Sequence, residues 1–162
     1  MMDDERLFEQ LVLEGAQAGL SWITILKRRH HYKRVFCQYD VAKLAAFTQE
    51  DVTAALQDKG IIRNRLKVLS VVNNAAKFIV VQQEFGSFDA YIWGFVGGIT
   101  IVNKFEKSAN VPAQTELSQR IAKDLKKRGF KFVGPIGMYA YMQSVGMVND
   151  HLKSCFCYSQ CC

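Results

Sequence analysis

Two groups of residues in this 162-residue sequence could do chemistry. The first is the C-terminal run "VNDHLKSCFCYSQCC", in which His151 and Cys155 stand four residues apart and Cys157, Cys161 and Cys162 follow. A His and a Cys at i, i+4 on a helix point the same way, which makes half of a tetrahedral zinc site. The alternative is a His that serves as a surface or capping residue near a helix end. The second group is "LVLEGAQAGLSW", Leu11 to Trp22. Glu14 shares the edge of an apolar helical face there, and Gly15, Ala16, Ala18 and Gly19 surround it with almost no bulk. Each glycine weakens a helix by up to ~1 kcal/mol relative to alanine, so two of them beside a carboxylate need a reason. One is the close approach of another molecule that Glu14 reaches. The other is a tightly packed helix crossing with Glu14 at its rim, and composition alone favours the crossing.

A third stretch, "LQDKGIIRNRLKVL" (Leu56 to Leu69), reads as helix, a short turn containing Gly60, then helix, with Arg63, Arg65 and Lys67 nearby. Such a turn can present backbone N–H groups to a phosphate, and adjacent cations can hold a strand by charge. An ordinary helical hairpin has the same spacing.

The elements that must position these groups are nearly all helical. Leu7, Phe8, Leu11 and Val12 recur at helical spacing, and Trp22, Ile23, Ile25 and Leu26 continue the apolar content. Thr48 and Thr115 are candidate N-caps, while Gly60, Gly86 and Gly129 are stop signals. The segment Leu66 to Phe85 is expected to be a long helix with Leu66, Leu69, Val72, Ala76 and Ile79 on one side. "SFDAYIWGFV" suggests a short helix, and "PIGMYAYMQSVGMVNDHL" a final helix or helix pair. Only "GITIV" looks like a strand, and one strand makes no sheet. The expected fold class is therefore all-α, a compact single-domain bundle over 1–162 with a Cys-rich tail at 155–162.

Hydrophobic residues make up 49% of the chain, which excludes a disordered polymer. No apolar run approaches the ~20 residues that a membrane helix needs. Four of the five cysteines fall in the last eight residues, which argues against a secreted disulfide framework. The start, "MMDDERLFEQ", is acidic where a signal peptide would be basic. These features predict an intracellular protein. The net charge of +6 is concentrated in "KRRHHYKR" and "KKRGFK", and basic patches attract polyanions without specifying which.

Taken together, "LFEQLVLEGAQAGLSWITILKRR", "DKGIIRNRLKV", "LKKRGFKFVGP" and "YMQSVGMVNDHLKSC" resemble the DNA-3-methyladenine glycosylase I family of bacterial base-excision repair enzymes. The resemblance runs from Leu7 to about Tyr158. It implies a cytoplasmic, monomeric, monofunctional enzyme of the helix–hairpin–helix superfamily that removes N3-methyladenine from alkylated double-stranded DNA. It implies that Glu14 hydrogen-bonds the methylated base and that Trp22 stacks on it. Gly19 and Leu20 would enter the DNA where the nucleotide leaves, and Gly60, Arg63 and Lys67 belong to the DNA-holding hairpin. His151 and Cys155 fall on two of the family's four ligands for a structural zinc. The other two belong to an N-terminal segment that precedes Leu7's helix in the family, so a truncated start is expected. Ile136 and Gly137 stand where the family usually has small hydroxyl residues. The alternatives are a homologue that binds DNA without excising bases and a helical protein with an incidental thiol cluster.

Overall fold

The computed structural model describes residues 3–17, 20–99, 101–102 and 114–149. Nine α-helices lie among the described residues: α1 (Asp4–Gln17), α2 (Trp22–Leu26), α3 (Arg29–Val35), α4 (Val41–Ala45), α5 (Gln49–Leu56), α6 (Arg65–Phe85), α7 (Phe88–Trp93), α8 (Glu116–Lys127) and α9 (Pro135–Ser144). The all-α expectation holds, and none of these helices is long and apolar enough to cross a membrane.

Local chemistry sets several boundaries. Thr48 and Thr115 each close a capping box with the residue three further on, Asp51 and Ser118. Gly86 ends α6 with φ +86 and Gly129 follows α8 with φ +93, backbone that glycine adopts without steric cost.

The core is one contiguous cluster. α1 runs against α6, α7 and α9 and buries Leu7, Phe8, Leu11, Val12 and Leu13. Phe8 meets Phe78 edge-on at 5.0 Å, and Phe78 stacks on Phe88 at 4.3 Å. The buried Tyr141 hydroxyl donates to the Leu7 carbonyl at 2.9 Å, tying α9 to α1. Asp4 accepts from the Phe88 and Asp89 N–H groups at 2.8 and 3.0 Å. This carboxylate from α1 thereby complements the positive N-terminus of α7.

Three sequence expectations are corrected here. On α6 the buried face is Val68, Val71, Ala75, Phe78 and Val81, whereas Leu66 is 69% exposed and Ala76 is exposed. Apolar and polar residues are both spread around this helix, and its buried face includes Ser70 and Asn74, so periodicity could not select that face. The "GITIV" stretch does form a sheet, because β1 (Ile101–Val102) pairs in parallel with β2 (Val148–Asn149). For the same reason the last helix stops at Ser144. Gly146 turns the chain with φ +83, and Val148–Asn149 run extended rather than helical.

Candidate functional site

Glu14 lies on the last part of α1 and is 9% exposed. It has no hydrogen bond or ion pair among the described residues, and burial alone pushes its carboxyl up to about 7. An isolated buried carboxylate is costly, and proteins retain one chiefly where it has work to do. Glu14 lines an open cleft of about 440 Å³ together with Gln17, Leu20, Phe132, Gly134, Ile136, Gly137 and Ala140. That volume lies within the range of small-ligand sites.

In this stretch of small residues, Gly15 packs and Glu14 opens onto the cleft. Gly15 lies where α1 meets the segment before α9, and a Cβ there would stand in ordinary contact, 3.5 Å from Phe132 Cβ, so packing alone does not demand glycine. The run is not one helix through Trp22. α1 ends at Gln17, and α2 starts afresh after Ser21, whose hydroxyl accepts from the Thr24 N–H. Leu20 sits in this break, 38% exposed, on the cleft wall. Gly19 and the Trp22 side chain lie outside the described residues, as do His151 and Cys155.

The turn 57–64 joins α5 to α6, and the basic run clamps it in place. Arg28 donates to the Lys59 carbonyl at 2.9 Å and Arg34 to the Asp58 carboxylate at 3.1 Å. The Ile62 N–H donates to the Tyr32 hydroxyl at 3.0 Å. Part of "KRRHHYKR" is therefore a cradle rather than a free patch. Gly60 is read from the sequence as a phosphate-facing turn residue, but its N–H donates to Asp58 Oδ1 at 2.7 Å and helps hold that carboxyl below the usual range. A Cβ on Gly60 would lie 2.4 Å from the His31 ring, so the close approach of His31 requires glycine. Arg63 is exposed on the turn. Lys67 does not point outward. Its ammonium donates to the Ala16 carbonyl at 3.0 Å, at the negative C-terminus of α1, and desolvation lowers its pKa.

Sequence reasoning missed Gln17, Phe132, Gly134 and Ala140 as cleft residues. The nearest signal is the pair of aromatic residues, Phe130 and Phe132, between two glycines in "GFKFVG". Ile136 and Gly137, noted for their residue types, do line the cleft.

Fold and site thus define an all-α protein with a buried carboxylate, unpartnered among the described residues, in a ligand-sized cleft, and with a clamped interhelical turn elsewhere in the fold. The family model for methyladenine glycosylase matches residues 1–158, and the chain belongs to that family. It is 45% identical over 155 residues to the DNA-3-methyladenine glycosylase of Haemophilus influenzae, covering 96% of this chain and 84% of that one. It superposes on a crystal structure of 3-methyladenine DNA glycosylase I with TM-score 0.93 at 44% identity, covering 98% of this chain and 87% of the other. It also superposes, with TM-score 0.93 at 32% identity, on a tyrosine-to-phenylalanine variant of such an enzyme in complex with 3-methyladenine, covering 96% of this chain and 84% of that one.

Proposed function

We propose that this protein hydrolyses the N-glycosidic bond of N3-methyladenine in alkylated DNA, releasing the base and leaving the strand intact. The observation that carries this reading is Glu14, buried without a partner among the described residues, in an open cleft of a methyladenine glycosylase fold. N3 methylation makes the adenine cationic in DNA and weakens its bond to the sugar. Cleavage returns the C1′–N9 electron pair to the base, which leaves neutral. Water adds to C1′ and gives up a proton. A leaving group this good needs little acid catalysis, so recognition and extrusion are the main tasks.

Extruding a base costs a few kcal/mol of unstacking, less for a damaged one. An ionised Glu14 favours the cationic purine over neutral adenine through a charge-assisted contact, and the Trp22 face would add cation–π attraction. Leu20, with Gly19, would fill the space the nucleotide leaves. Arg63 and the 57–64 turn, the helix–hairpin–helix unit of this reading, would hold the duplex backbone. Lys67 supports the site from inside by holding the end of α1 that carries Glu14. The acting species is a cytoplasmic monomer on double-stranded DNA. His151 and Cys155 would serve a zinc ion as structural ligands, tying down the chain end. A melting temperature unmoved by a chelator would remove the metal from this account.

The test is release of N3-methyladenine from dimethyl sulfate-treated DNA by the wild type and by Glu14→Ala. Release by the wild type, lowered about 10²-fold or more in the variant, is expected. Equal release by both would remove Glu14 from the mechanism. Salt-sensitive DNA binding with no base release would mark a binding module instead.

A further inference from the structure

Phe132 breaks a local rule beside the cleft. Its φ is +56, left-handed backbone that a bulky side chain adopts only at a cost. It is also 40% exposed, while Phe130 and Val133 on either side are in the core. Burial therefore rewards Phe132 only in part, and Asn or Gly would hold the same turn with less strain.

The surroundings impose this conformation. Asn74, buried on α6, grips the backbone of Lys131 at both ends. Its Nδ2 donates to the Lys131 carbonyl at 3.0 Å, and its Oδ1 accepts from the Lys131 N–H at 2.9 Å. Asn73 donates to the Gly129 carbonyl at 2.8 Å. Gly15 lies against this turn, and a Cβ there would stand in ordinary contact, 3.5 Å from the Phe132 Cβ. The result is an aromatic side chain, partly uncovered, on the wall that also carries Glu14.

We propose that Phe132 is a base-contacting residue: its ring forms a face of the cleft on which the extruded methylated purine stacks, with Asn74 as the positioning residue that aims it. This rests on the glycosylase reading and adds to it a division of labour. Glu14 selects charge, and Phe132 offers a π-face to a flat, cationic ring.

The experiment compares wild type, Phe132→Leu, Phe132→Tyr and Phe132→Asn by thermal melting, by calorimetric titration with free N3-methyladenine and by single-turnover release from methylated DNA. Phe132→Asn is expected to melt no lower than wild type, because the backbone strain is relieved. It should bind and release the base about tenfold less well, and Phe132→Leu should lose as much. Phe132→Tyr, which keeps the ring, should stay near wild type. Wild-type binding and release in Phe132→Leu and Phe132→Asn, or an equal loss in Phe132→Tyr, would overturn the inference alone. A wild-type chain that neither binds nor releases N3-methyladenine would overturn the glycosylase reading itself.

Discussion

Two positions on α1 treat a buried carboxylate in opposite ways. In its middle, Glu9 is 7% exposed, and its Oε1 accepts from Arg29 Nε and Nη2 at 2.9 and 2.6 Å. Near the end, Glu14 is almost as buried and has no partner among the described residues. One charge is neutralised inside the fold. The other has no countercharge among the described residues, and under the proposed function the cationic base supplies it. Burial is therefore a poor sign of function by itself, and burial without a partner is a better one.

The largest effect that would sharpen this contrast is on activity. Glu14→Gln keeps the shape and removes the charge, and base release should fall about 10²- to 10³-fold. In the wild type, kcat/KM should rise with pH through about 7 as Glu14 ionises. A profile flat from pH 6 to 8 would break the link between charge and recognition.

Stability should move the other way. With its pKa raised from 4.5 to about 7, Glu14 binds its proton more tightly in the folded state. The folded chain thus loses stability as pH rises from 4.5 through 7, by up to about 3 kcal/mol. Urea denaturation of Glu14→Gln should lack this loss, making the variant the more stable protein at pH 8. A wild type as stable at pH 8 as the variant would mean that Glu14 has a partner in solution.

Glu9→Ala should do the reverse again, costing about 1–2 kcal/mol of stability while base release per folded molecule stays within about twofold of wild type. A large activity loss there would erase the distinction between the two carboxylates. The smallest effect concerns the clamped turn. Gly60→Ala should cost about 1 kcal/mol through contact with His31, and most of that cost should vanish in a His31→Ala background. Additive losses in this double-mutant cycle would place the strain elsewhere.

Much of this was legible in the sequence. The α1 stripe from Leu7 to Val12, the Thr48 and Thr115 caps and the Gly86 and Gly129 stops all emerged as read. Glu14 was visible as an oddity, because a carboxylate among small residues is unusual on any helix. Its lack of a partner among the described residues was not visible, since that depends on what the rest of the chain brings near. Gly60 and Lys67 show the same limit from the other side. Their types suggested contacts with a ligand, and the fold employs the Gly60 N–H on Asp58 and the Lys67 ammonium on Ala16.

The sequence by itself determined the helical class, several helix ends and the family resemblance, because caps, glycine stops and apolar periodicity act between neighbours a few residues apart. Tertiary structure alone decided which face of α6 is buried, that Ile101–Val102 find Val148–Asn149, and that Asn74 holds Lys131 and so turns Phe132 toward Glu14's cleft. Those contacts join residues about fifty apart in the chain, 57 between Asn74 and Lys131 and 51 between Lys67 and Ala16. No local preference encodes them. They form only when hydrophobic burial has brought the helices together, and each polar group must then find a partner, as Asn74 does and Glu14 among the described residues does not.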